Sequence, residues 1–136
     1  MREPAVTLGN DTDEFIIVYG VNHVATGKAT YASFVLYGAD IWNDVGSITD
    51  ADFTGTAGEY LPDNPDAKYF YVYKIARNCE RDPHCFEVPY GVEGYGLDPD
   101  QPLFIIWRIY LEEFTQTAPP YSEIVYDRAI KFGPAG

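Results

Sequence analysis

Leu103-Phe104-Ile105-Ile106-Trp107-Arg108-Ile109-Tyr110-Leu111 is the stretch from which the rest of the chain is best read. It holds β-branched, aromatic and aliphatic side chains with no Gly or Pro, a composition that suits a pleated, half-buried surface. Alternation with period two sends Leu103, Ile105, Trp107, Ile109 and Leu111 to one side and Phe104, Ile106, Arg108 and Tyr110 to the other. The first flank is entirely apolar and must be covered. The second carries one guanidinium among apolar and aromatic neighbours, and a cation in that setting needs either a partner or water.

Working outward, four further stretches have the same character: 14–20, 29–37, 67–77 and 124–132. Shorter extended segments are expected at 5–8, 45–49 and 86–89, and only 50–61 has room for a short helix. Between them lie turn-forming clusters such as Gly9-Asn10-Asp11, Pro62-Asp63-Asn64-Pro65-Asp66, Asp98-Pro99-Asp100 and Ala118-Pro119-Pro120. In 67–77 neither flank is plainly polar: Tyr69, Tyr71, Tyr73, Ile75 and Arg77 alternate with Phe70, Val72, Lys74 and Ala76. That strand and the Trp107 strand are therefore expected at the centres of their sheets, each covered on one side by the other sheet and on the second by loops or a partner. Many strands joined by turns within 136 residues predict one all-β domain spanning 1–136, an antiparallel β-sandwich of jelly-roll type with at most one short helix.

The chain carries nine Lys plus Arg against 21 Asp plus Glu, a formal net charge of -12. A field of that sign repels polyphosphate and anionic lipid, so nucleic acid and charged membrane surfaces are disfavoured partners. No run of apolar residues is long enough to predict a membrane-spanning helix.

Cys79 and Cys85 enclose Glu80-Arg81-Asp82-Pro83-His84, a polar loop with Pro at a turn-compatible position. A local disulfide is the first reading; two free thiols, or a metal site completed by a histidine, are the alternatives. The spacing is wider than in the common zinc knuckles. A disulfide implies an oxidising compartment, so an extracellular or periplasmic location is expected. Asn10-Asp11-Thr12 fits the N-glycosylation acceptor pattern as well. Met1-Arg2-Glu3-Pro4 does not begin a signal peptide, which is reconciled with export if the chain is a mature form or if Met1 is an added residue.

The run 103–111, followed by a loop with Pro119-Pro120, resembles the closing strand of a family of uncharacterised bacterial domains. Those domains form jelly-roll parts of larger secreted or periplasmic proteins. Val35-Leu36-Tyr37-Gly38 looks like their earlier aromatic strand. The resemblance implies a jelly roll and carries over no catalytic residue.

Four candidate sites follow from residue chemistry. Arg108 either bridges to Asp127 or Glu112, with Tyr110 and Tyr73 stacked on its fork, or grips a small anionic ligand with those tyrosine hydroxyls completing the site. His23, in the loop Asn22-His23-Val24-Ala25-Thr26-Gly27-Lys28, is the general-base candidate, with Asp40, Asp44 or Tyr37 to orient it; the plainer reading is a loop histidine bonded to local backbone. No nucleophile motif accompanies it. Asp98 and Asp100 offer hard oxygens to calcium, although no segment has the helix-loop-helix ligand pattern, and no other cofactor is expected. Trp42, flanked by Asp40, Asn43 and Asp44, is either a platform for a glycan or a loop anchor folded over the sheet end. The edge-compatible segments 5–8 and 124–132 also suit assembly into a homo-oligomer by addition to a neighbour's sheet. Taken together these readings predict a non-catalytic binding or assembly module, with a small enzyme built on His23 and Arg108, or a glycan-binding module built on Trp42, as the alternatives.

Overall fold

The computed structural model describes residues 6–9, 11, 13–40, 42–91, 96–99, 101–110 and 127–133. Its first sheet is formed by β1 (Val6–Thr7), β3 (Tyr31–Gly38), β4 (Asp44–Thr49) and β7 (Pro102–Tyr110), in the order β1-β7-β3-β4. The second is formed by β2 (Phe15–Val21), β5 (Phe70–Ala76), β6 (Cys85–Glu87) and β8 (Arg128–Phe132), in the order β6-β5-β2-β8. The chain is an all-β sandwich.

The alternation in β7 decides how these sheets meet. Leu103, Ile105 and Trp107 are buried, and Arg108 is exposed. The apolar flank of β7 joins Phe34 and Leu36 of β3, Ile16 and Val18 of β2, and Tyr71, Tyr73 and Ile75 of β5 in one core. β7 and β5 occupy central positions, as their two-sided apolar composition predicts. Aromatic rings fill the centre: Phe53 stacks on Tyr71 with centroids 3.9 Å apart, and Phe34 lies 6.3 Å from the same ring. Phe53 comes from α1 (Asp50–Phe53), a single turn begun where the Asp52 carboxylate accepts a bond from the Thr49 N–H at 3.1 Å. The helical segment expected over 50–61 thus stops after four residues, at an extended Thr54 followed by Gly55 with φ of +81°.

Two expectations are corrected. Residues 67–69 form a 3-10 turn, so β5 begins only at Phe70; the Asp66 carbonyl takes the Tyr69 N–H and holds the chain in a turn at that point. β6 pairs parallel to β5, with Lys74 opposite Cys85 and Ala76 opposite Glu87, whereas the remaining strand pairs are antiparallel. The reason lies in the Cys79–Cys85 disulfide, which folds the intervening loop back with Cα atoms 5.7 Å apart and returns the chain alongside the strand it has just left. Of the segment expected over 124–132, residues 124–126 lie outside the described ones, and the strand occupies Arg128–Phe132. Leu111, Glu112 and the Asn10 and Thr12 positions also lie outside the described residues, as does the Tyr110 side chain.

A buried cation ties the periphery together. Arg77 leaves the end of β5 and donates from Nε and Nη2 to the Leu8 carbonyl at 3.2 and 3.1 Å, and from Nη1 to the Pro89 carbonyl at 3.0 Å. Its guanidinium also lies 4.9 Å from the Tyr90 ring centroid. Burial lowers its pKa, while the carbonyl dipoles and ring provide the compensation that keeps a cation tolerable there.

Candidate functional site

Two groups of side chains stand out, one on the outer flank of the first sheet and one inside the sandwich.

On the outer flank, register places Ser33 opposite Arg108, Val35 opposite Ile106 and Tyr37 opposite Phe104. Arg108 donates from Nη2 to the Tyr37 hydroxyl at 3.1 Å. The two residues sit four positions apart along the ladder, roughly 13 Å at strand spacing, so their long side chains must reach toward each other over the Val35–Ile106 pair. That strap accounts for the burial of Val35 on an outward flank. Beyond Tyr37 the flank continues in rings: Tyr37 stacks on Phe104 at 5.5 Å, and Trp42 meets Phe104 edge-on at 4.9 Å. Trp42 remains 59% exposed and has φ of 58°, in the left-handed region that disfavours a bulky side chain. Its neighbours Asp40 and Asp44 are exposed too. Trp42, half-buried Tyr37 and exposed Arg108 are therefore linked on this flank through the buried Phe104 ring, against which Trp42 and Tyr37 pack.

Arg108 is exposed, so water as well as the Tyr37 hydroxyl meets its charge. Asp127 is buried, and both it and Arg108 line one small cavity at this end of the sandwich. Tyr73 is likewise a core residue of the second sheet, packed edge-on against Phe34 with ring centroids 6.1 Å apart, so stacking on Arg108 is excluded by the sheet that separates them. Glu112 and the Tyr110 side chain lie outside the described residues.

Inside, a hydrogen-bond chain crosses between the sheets. Trp107 Nε1 on β7 donates to the Tyr71 hydroxyl on β5 at 3.0 Å, and that hydroxyl donates in turn to the Asp127 carboxylate. Asp127 is only 6% exposed; a Cβ on Gly20 would fall 2.0 Å from its Oδ1, so glycine at that position leaves the space the carboxylate occupies. Desolvation raises the Asp127 pKa from its ordinary 3.8 to about 7, although the Tyr71 hydrogen bond pulls the other way. Burial and the adjacent carboxylate push the Tyr71 hydroxyl well above the ordinary tyrosine range.

His23 lines this same end of the core. It is 3% exposed, and its carbonyl accepts the N–H groups of Lys28 and Ala29 at 2.9 and 3.0 Å and the Thr26 hydroxyl at 3.0 Å. The expected orienting groups are corrected. Asp40 and Asp44 follow the far end of β3, whereas His23 is packed beside Ala32 at its beginning, with Tyr71 and Asp127 lining the same cavity. That cavity has a volume of about 10 Å³, the room of one water molecule. His84, in the loop closed by the disulfide, is half-buried, 6.4 Å from the Tyr73 ring.

Asp98 spends its carboxylate locally, with Oδ1 accepting the Gly91 N–H at 3.2 Å, and Asp100 lies outside the described residues. Among the described residues no group of three or more His, Cys, Asp or Glu is placed to hold a metal ion, and no helix is long and apolar enough to cross a membrane. The chain matches no protein-family model, no curated protein and no solved structure.

Proposed function

We propose that the chain is a non-catalytic binding module of an oxidising, exported compartment, and that its ligand surface is formed by Trp42, Tyr37 and Arg108, which are linked on the outer flank of the first sheet through the buried Phe104 ring. Carbohydrate is the ligand class that this surface fits. Sugar rings offer C–H faces for an indole and hydroxyls for carboxylates, and Trp42 stands between exposed Asp40 and Asp44. Arg108, at the other end of this surface, supplies a donor for a ring carboxylate or a hydroxyl. The single observation that carries the reading is the exposed indole held on a left-handed backbone: a large apolar surface is presented to water on a backbone that costs free energy to maintain. The disulfide supports export. The enzymatic alternative built on His23 has less support, because His23 is buried and the cavity beside it is small, about 10 Å³.

Two variants test this. Trp42→Ala should abolish binding to the glycans that the unmodified chain retains on an immobilised oligosaccharide panel. Trp42→Gly, which relieves the left-handed strain, should unfold at the same or a slightly higher temperature. Retained glycan binding by both variants would refute the proposal, and a marked loss of stability in Trp42→Gly would make the indole a structural anchor.

A further inference from the structure

We infer that a cleft at one end of the second sheet, where the loop after β2 meets the 3-10 turn before β5, binds an aliphatic ammonium group. The cleft has a volume of about 330 Å³ and is lined by Val21, Thr26, Asp66, Tyr69 and Phe70. Main-chain hydrogen bonds fix its walls to one another: the Asn22 N–H donates to the Tyr69 carbonyl at 2.7 Å, and the Tyr69 N–H to the Asp66 carbonyl at 2.9 Å. Val21 and Phe70 are register partners on β2 and β5 and give the cleft an apolar floor, with Phe70 38% exposed. Side chains three residues apart in a 3-10 turn project on the same side, so the Asp66 carboxylate and the Tyr69 ring stand together.

The groups lining the cleft select the sign of its occupant. The Thr26 hydroxyl gives its proton to the His23 carbonyl at 3.0 Å and so meets a ligand as an acceptor. The Asp66 side chain makes no capping hydrogen bond, which leaves its carboxylate to accept as well. Ring faces attract positive charge too, and Lys68 shows this for Tyr69, with Nζ 5.1 Å from the ring centroid. An anion would face the Asp66 charge in a chain of net charge -12. The three N–H groups of an ammonium can be shared between the carboxylate and the hydroxyl. A bare ammonium would leave Val21 and Phe70 wet, so the ligand carries an aliphatic stem that covers them, as a free alkylamine or a lysine side chain does. This cleft belongs to the second sheet and is independent of the Trp42 surface on the first.

Titration of the full, isotopically labelled chain with hexylammonium at low salt should shift the amide resonances of residues 21, 26, 66, 69 and 70. Binding should be at least about fivefold tighter than that of methylammonium, from burial of the stem. Hexanol and hexanoate should bind more weakly than hexylammonium. Asp66→Asn should weaken hexylammonium binding about threefold, the worth of one exposed charge pair, and Lys68→Gln should strengthen it by removing a competing cation. Both positions are exposed, so the melting temperature should stay unchanged. A capped lysine amide distinguishes the two sources: affinity equal to that of hexylammonium identifies a protein side chain, and weaker binding a free amine. Equal affinity for methylammonium, or shifts spread over the other acidic loops, would reduce the effect to the general field of an acidic chain and overturn the proposal. Hexanol binding as tightly as hexylammonium, unaltered affinity in Asp66→Asn, or no shift at all would overturn it equally.

Discussion

Asp127 shows at the scale of one residue how burial sets behaviour. Its carboxyl titrates near pH 7 in the folded chain and near 3.8 when exposed, so the folded state binds more protons between those limits. Stability must therefore fall as pH rises from about 4 to about 7 and level off above, by an amount on the order of 4 kcal/mol over the window. Chemical denaturation at pH 5 and pH 8 should give the higher midpoint at pH 5, and Asp127→Asn should remove most of that difference. A midpoint higher at pH 8 would show that the carboxyl is not desolvated. The two arginines teach a related lesson. Arg108 attracts attention in the sequence because its nearest neighbours are apolar, yet alternation takes it to water; Arg77, at the end of a strand, is the one that burial claims. Sequence neighbours alternate across a sheet, so they say little about which residues surround a side chain in space.

Among the elements, β6 is the one whose existence depends on a covalent link. It has only three residues, lies at a sheet edge, and pairs parallel to β5 immediately after the disulfide-closed loop. Replacing Cys79 and Cys85 by Ser should cost about 2 kcal/mol from loop-closure entropy. The same change should raise hydrogen exchange at residues 85–88 well before the β2–β5 ladder loosens, which amide exchange measured residue by residue would reveal. Uniform protection in the double variant would mean that packing of Phe86 against the core suffices to hold the strand. Strand positions were legible because β-branched and aromatic runs are bounded by Asp, Gly and Pro. The parallel pairing of β6 was not, because direction depends on how far the loop folds back.

For the molecule as a whole, charge is the dominant long-range term. Twenty-one acidic residues against nine basic ones repel one another in the compact state more than in the extended chain. Raising salt from about 0.01 M to about 0.15 M shortens the screening length from about 30 to about 8 Å, and the melting temperature should rise accordingly at pH 8. A melting temperature indifferent to salt would show that the carboxylates are spaced widely enough not to interact.

The sequence by itself determined the all-β class, the outlines of most strands, which flank of β7 is core, and that Cys79 and Cys85 can meet, because period-two patterning and loop length are local properties. Tertiary structure alone decided that Trp42, Phe104, Tyr37 and Arg108 share one flank, that Tyr73 is withdrawn from it, and that Asp127 is held by Tyr71 above Gly20. Those groupings bring together residues tens of positions apart, and their spacing is set by which strands pair, in what register, and how two sheets close over a common core.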